Sequence, residues 1–294
     1  MKRVGFVGIG TMGLHMSRNL MKAGYELSIF NRTAEKMQPL VEEGAMPCAS
    51  PAEVGQQSEL VFTCVSDVPD VEEVTLGERG VARGIAPGGI IVDCSTSSPA
   101  LARRMAEELK PRGIGVLDAP VSGGPEGART GELSIMVGGE EEVFLRAKPV
   151  LEAIGKTILL IGPPGSGQLT KAINQIVGAL HLEAVAEGIV LAKKAGIDPE
   201  KVIQALGGGA AQSWLLKMRG PQMLRGDFTP ARFALGLHAK DLRLAMEAAR
   251  QYGAKLELAE KVNEIFQALD QEGLGALDHS IMYLHAKRLN QLNS

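Results

Sequence analysis

"VGFVGIGTMG" occupies residues 4–13, and its reading decides the fold. A short apolar run ends at Gly8. Glycines recur at Gly10 and Gly13, and a helical pattern, "MGLHMSRNLMKAG", follows. G-x-G-x-x-G alone is weak in a chain with 36 glycines among 294 residues. Between a strand and a helix it has a mechanism. Gly8 permits the tight turn, Gly10 lets the backbone approach a pyrophosphate at the helix N-terminus, and Gly13 lets helix and strand pack closely. Thr11 and Met12 lie inside the turn and count with the cofactor loop. The expectation is a dinucleotide-binding βαβ unit.

The pattern continues outward. Strand-like runs are "RVGFVG" (3–8), "ELSIF" (26–30), "LVFTCV" (60–65), "GIIVDCS" (89–95), "GVLDAPV" (115–121), "LSIMVG" (133–138) and "TILLIG" (157–162). Amphipathic stretches such as "PALARRMAEELK" lie between many of them. Alternating β and α segments with near-continuous apolar strands predict a mostly parallel sheet covered by helices. The character changes near 163–167. Residues 168–194 read as one helical pattern closed by Gly196, roughly 40 Å long at 1.5 Å per residue. It is apolar on most sides, which predicts burial in a core or an oligomer interface. More helices follow and no strand pattern does. The predicted fold is an α/β Rossmann N-terminal domain, residues 1–163, then a long connecting helix and an all-α C-terminal domain, together residues 164–294.

The end of the second strand selects the dinucleotide. NAD-specific sites usually place Asp or Glu there, bonded to the ribose 2′-hydroxyl. Here Asn31, Arg32 and Thr33 follow "ELSIF". A cation and a hydroxyl suit a 2′-phosphate, so the expectation is NADPH/NADP in preference to NAD.

Bulk properties exclude other classes. A net charge of −3 gives no basic footprint for nucleic acid or anionic membrane. No uninterrupted apolar run approaches the ~18 residues of a membrane span. Cys48, Cys64 and Cys94 form no C-x-x-C pair and read as free thiols in a reducing, cytoplasmic setting. The five histidines show no metal-ligand spacing, so no metal is expected. The apolar long helix points to a homodimer or homotetramer.

"GPPGSGQLTK" (162–171) imitates a phosphate-binding P-loop but has Gln168 and Leu169 where Lys and Ser/Thr belong. It reads instead as the turn between domains, with Ser166 as a cap for the long helix. Lys171 and Asn174 then lie three residues apart on one helix face.

Four stretches, "GFVGIGTMGLHMSRNL" (5–20), "DAPVSGG" (118–124), "GSGQLTKAINQ" (165–175) and "KDLRLA" (240–245), resemble the β-hydroxyacid dehydrogenases. These include 3-hydroxyisobutyrate dehydrogenase, tartronate semialdehyde reductase and the glyoxylate/succinic semialdehyde reductases. The resemblance implies that Lys171 is the catalytic acid/base and Asn174 an active-site hydrogen-bonder. It implies that Ser122, Gly123 and Gly124 hold a substrate carboxylate. Thr96, Val65 and Ser66 are implied on the cofactor side, and Lys240 near the cofactor with Asp241 near the substrate.

The chemistry agrees. A carbonyl accepting hydride needs an acid at its oxygen, and a lysine of ordinary pKa, about 10.4, is protonated at neutral pH. A hydroxyl and two glycine N–H groups suit a carboxylate. A hydrolase with Ser122 as nucleophile lacks the G-x-S-x-G context and a His/Asp partnership. His238 and Trp214 read as packing or surface residues, and Asp278 as a helix cap. The reading is an NADPH-dependent reductase of small aldehyde acids, with tartronate semialdehyde the lead substrate. Succinic semialdehyde, glyoxylate and methylmalonate semialdehyde are the alternatives. A non-catalytic NADP-binding assembly module is the alternative from another class.

Overall fold

A computed structural model describes residues 1–292. The chain forms two compact units, Met1–Lys171 and Ala172–Ser294. The division falls inside the long helix, not at the turn before it.

The first unit carries one nine-stranded sheet: β1 (Arg3–Val7), β2 (Glu26–Phe30), β3 (Met46–Pro47), β4 (Leu60–Thr63), β5 (Ile90–Asp93), β6 (Gly115–Asp118), β7 (Val121–Ser122), β8 (Leu133–Gly139) and β9 (Gly155–Gly162). The order is β3-β2-β1-β4-β5-β6-β8-β7, with β9 also on β8. The pairs are parallel except those of β8 with β6 and β7. The central strands are buried on both faces, as in Phe6, Phe62 and Val92 on one and Val61 and Ile91 on the other, all 0% exposed. Each such side chain contributes about 1.5–3 kcal/mol by leaving water. Two strands depart from the sequence expectation. β3 is two exposed residues with a proline, too short for a pattern. The run 115–121 breaks into β6 and β7, because Pro120 has no N–H to continue a ladder.

Helices cover the sheet through stripes spaced three and four apart. Gly13, Met16, Ser17 and Leu20 are the buried residues of helix Thr11–Lys22. In Pro99–Leu109, Leu101, Ala102, Met105 and Leu109 are buried, and Ser98 caps the start by accepting the Leu101 N–H at 3.1 Å. The chain runs outward from β1 to β3, then returns past β1 to β4. The carboxyl ends of β1 and β4 therefore meet where the strand order reverses, the place where open α/β sheets bind ligands.

The long helix spans Ser166–Lys194 and is followed by Gly196 at φ +70°. By length and composition it has an 18-residue window apolar enough to cross a bilayer, and 44% of that window is buried within the protein. In the second unit Leu182, Ala186 and Ile189 of this helix join Leu235, Phe266, Met282 and Tyr283 in one core. The other long elements there are helices Trp214–Arg225, Leu235–Gln251 and Glu257–Leu269. Ala234 and Asp278 make an isolated antiparallel bridge.

Candidate functional site

The glycines after β1 divide their tasks. Gly8 has φ +103°, and a Cβ there would lie 2.2 Å from the Cys64 carbonyl oxygen. A Cβ on Gly13 would lie 2.0 Å from the Gly8 carbonyl oxygen. Both positions exclude any other residue. Gly10 is exposed, and a Cβ there would meet nothing within 4 Å. Helix Thr11–Lys22 starts at Gly10 with no side-chain cap and no acidic residue in its first turn. Uncapped N–H groups at a helix N-terminus suit a pyrophosphate, so these residues fit a dinucleotide.

Asn31 anchors this loop. Its Oδ1 accepts the Ile9 N–H at 2.9 Å, and its Nδ2 donates to the Thr33 carbonyl at 2.8 Å. Its amide thus shapes both the glycine turn and the 31–33 segment. Arg32 is 87% exposed and pairs with Asp70 at 3.2 Å. Such a pair is weak in water and leaves the guanidinium able to exchange partners. Thr33 is exposed beside it.

The segments after β4 and β5 are tied together. The Val65 N–H donates to Ser95 Oγ at 2.9 Å. Asp93, buried at the end of β5, accepts Thr63 Oγ1 at 2.8 Å, the Ser95 N–H at 3.1 Å and Ser97 Oγ at 3.2 Å. Ser95 and Ser97 are buried, and Thr96 between them is partly exposed. The two serines hold the bend that presents Thr96. Ser66 is exposed next to Val65.

β6 ends at Asp118, in register with Asp93. The Asp118 carboxylate accepts the N–H groups of Gly165 and Gln168, each at 2.8 Å. It caps the long helix from a distant strand. Ser166, the sequence candidate for the cap, is instead the first helical residue, because the turn at Gly165 aims the free N–H groups at Asp118. Burial, with neighbouring Asp93 adding to it, pushes the Asp118 carboxyl up to about 6, while the two backbone N–H groups pull it down. A Cβ on Gly167 would lie 2.4 Å from the carbonyl oxygens of Asp118 and Met136, so glycine is required where the helix meets the sheet. Gln168 completes the junction: its Oε1 accepts the Ser97 N–H at 2.9 Å, and its Nε2 donates to the Ser95 carbonyl at 2.8 Å.

One turn on, Lys171 is 8% exposed, and its Nζ donates to the Val121 carbonyl at 2.9 Å. Ser122 follows in β7. Gly123 and Gly124 have φ +131° and +63°, and helix Gly124–Thr130 starts there without a side-chain cap. Lys171 and the Ser122–Gly124 turn thus lie together. Nothing in the sequence pattern alone marked Asp118, Gln168 or Asp93 as organisers. Asp118 and Gln168 stood inside the family-like stretches with no role attached.

The second unit brings Asn174, Asp241 and Lys240 together through a residue the sequence reading passed over. Gln175 Oε1 accepts Asn174 Nδ2 at 2.7 Å, and its Nε2 donates to Asp241 Oδ2 at 2.7 Å. Lys240 Nζ lies 3.1 Å from Asp241 Oδ1. Below them is a buried relay. Arg219 Nε can only donate, so His279 Nε2, 3.1 Å away, accepts. The neutral His279 ring then carries its proton on Nδ1 and donates to His238 Nδ1 at 3.0 Å. His238 in turn donates from Nε2 to the Gln175 carbonyl at 3.2 Å. Burial, followed by the neighbouring His238, pushes His279 well below the usual histidine range, in keeping with this neutral tautomer. Asp278 accepts the N–H groups of Arg232, Phe233 and Ser280 and so caps the turn His279–Met282. Trp214 is exposed, with Arg219 over its ring at 5.3 Å. No group of three or more His, Cys, Asp or Glu suited to a metal occurs among the described residues.

Comparison with known proteins places the fold. Residues 3–162 match the family model described as the NAD binding domain of 6-phosphogluconate dehydrogenase. Residues 165–286 match that described as NAD-binding of NADP-dependent 3-hydroxyisobutyrate dehydrogenase. The chain is 42% identical over 280 residues to 2-hydroxy-3-oxopropionate reductase of Escherichia coli K12, covering 95% of each chain. The crystal structure of 3-hydroxyisobutyrate dehydrogenase from Salmonella typhimurium superposes with a TM-score of 0.87 at 32% identity, covering 97% of this chain and 100% of that one. Psf3, solved in complex with NADP+ and 2-OPP, superposes with a TM-score of 0.88 at 25% identity, covering 96% and 99%. The chain therefore belongs to the β-hydroxyacid dehydrogenase family and is an NAD(P)-dependent oxidoreductase.

Proposed function

We propose that this enzyme is an NADPH-dependent reductase of small aldehyde acids, with tartronate semialdehyde (2-hydroxy-3-oxopropionate), reduced to glycerate, as its lead substrate. The observation that carries the reading is the Lys171 ammonium, buried and held at the Val121 carbonyl next to the Ser122–Gly124 turn. The 42% identity to a 2-hydroxy-3-oxopropionate reductase supports the lead substrate. Succinic semialdehyde, glyoxylate and methylmalonate semialdehyde are the rivals within the same chemistry.

Gly8, Gly10, Thr11, Met12 and Gly13 would hold the pyrophosphate, and Arg32 with Thr33 the 2′-phosphate, on a loop shaped by Asn31. Val65, Ser66, Thr96 and Lys240 complete the cofactor contacts. When bound, the nicotinamide supplies a hydride. Lys171 gives a proton to the substrate's aldehyde oxygen as negative charge builds there. Ser122, Gly123 and Gly124 take the substrate carboxylate, and Asn174 and Asp241 orient the substrate. In this scheme residues 1–163 serve the cofactor, and residues 164–294 serve the substrate and assembly. Exposed Ile173, Val177 and Leu191 on the long helix support a homodimer or homotetramer. The three free thiols suit a cytoplasmic setting.

A panel of these aldehydes with NADPH and with NADH, followed by absorbance loss, tests the reading. Tartronate semialdehyde with NADPH should give the highest kcat/KM. A tenfold better rival substrate, or preference for NADH, overturns that part of it.

A further inference from the structure

We propose that Asp118 and Gln168 are positioning residues for proton transfer, a clamp that fixes the start of the long helix and so sets Lys171 relative to Thr96 and the Ser122 turn. The inference rests on Lys171 being the proton donor.

Asp118 ends β6, and three residues later the same chain provides the Val121 carbonyl that receives the Lys171 ammonium. The Asp118 carboxylate also holds the helix start through the Gly165 and Gln168 N–H groups. One side chain thus holds the lysine's helix from a point three residues before the carbonyl that the lysine touches. Gln168 adds the third loop. Its amide spans Ser95 and Ser97, the two residues flanking Thr96, and it is 1% exposed. The fit is close on every side. A Cβ on Gly138 would lie 2.4 Å from Asp118 Oδ1, and one on Gly167 would lie 2.9 Å from Oδ2. A buried donor or acceptor left without its partner is costly, so the clamp has one low-energy arrangement. Reactions of this kind lose rate steeply when a group moves by about 1 Å. Neither side chain needs to touch substrate to matter.

The test uses Gln168→Leu, close in volume but without the amide, and the isosteric Asp118→Asn, whose NH2 group opposes a backbone N–H. Lys171→Ala and both double variants complete two mutant cycles. Each single variant should lower kcat roughly 30-fold while the Kd for NADPH rises by less than about tenfold, since the glycine turn is untouched and only the Thr96 loop loosens. Combined with Lys171→Ala, each should cost little further, because its effect passes through the lysine. In the enzyme without cofactor, hydrogen exchange should quicken at residues 95–97 and 165–171 and stay unchanged at 11–22. Unchanged kcat in both single variants overturns the proposal, and so does a full 30-fold loss on the Lys171→Ala background. If Lys171→Ala itself keeps its turnover, the assignment of the proton donor fails, and the exchange data still report whether the clamp exists.

Discussion

Gly8 and Gly13 are in contact across the first turn: a Cβ on Gly13 would lie 2.0 Å from the Gly8 carbonyl oxygen. Gly10, midway between them, faces open space and has φ −87° and ψ −166°, which any residue adopts. Alanine should therefore separate folding from binding. Gly13→Ala should destabilise by about 3 kcal/mol, lowering Tm by roughly 5–10 °C. Gly10→Ala should keep Tm within about 2 °C and weaken NADPH binding at least tenfold. Thermal melts and cofactor titration check both. Equal effects of the two substitutions would contradict the division of roles.

Arg32 meets Asp70 at 3.2 Å on the surface of the first unit. If Arg32 grips a 2′-phosphate, Asp70 competes for it. Arg32→Ala should lower kcat/KM for NADPH about tenfold or more and leave that for NADH nearly unchanged. Asp70→Ala should act in the opposite sense, raising the NADPH/NADH ratio a few-fold. Steady-state kinetics with both cofactors decide it, and an unchanged ratio in Arg32→Ala assigns the specificity elsewhere.

The legible part of this molecule was its local part. Strand period, glycine spacing and the helical stretch after 165 are properties of neighbouring residues, and they foretold the sheet, the tight glycine turn and the long helix. The strand pair at Pro120 and the two-residue β3 were illegible because they are shorter than any pattern. The organisers were illegible for another reason. Asp118 reaches Gly165 and Gln168, 47 and 50 residues away, and Gln175 reaches Asp241, 66 residues away. Each is an unremarkable polar residue until the topology closes those loops. The inverse error arose at Ser166: a residue with good local capping chemistry lost that position to a carboxylate supplied by another strand.

Lys171 allows a direct test of direction. Lys171→Ala should retain NADPH binding within about threefold and lose 10²–10⁴-fold in kcat. Lys171→Arg keeps the charge but holds its proton at any working pH, so it should not rescue the reverse oxidation of the hydroxy acid. If Lys171 is the base, that oxidation in the parent enzyme needs it neutral and should speed up toward alkaline pH. Reduction should not. A Lys171→Ala variant with more than a tenth of the parent turnover removes the lysine from the mechanism.

Asp118 carries a stability signature of its own. Burial, with Asp93 beside it, pushes its carboxyl up to about 6, against about 3.9 for an unfolded aspartate. The folded chain therefore holds this proton more tightly than the unfolded chain does. That contribution to stability is fully present below the unfolded pKa and is lost as pH rises through about 6. The difference of about two pKa units corresponds to about 3 kcal/mol. Asp118→Asn has no such proton. Urea unfolding at pH 4 and pH 7.5 should show the parent losing about 2–3 kcal/mol relative to Asp118→Asn across that range, with the upper figure reduced by whatever Asp93 regains when its neighbour is neutral. A constant difference would mean that the two backbone N–H groups fully offset the burial of the charge. Asp118 would then be an ordinary carboxylate in a well-made cap.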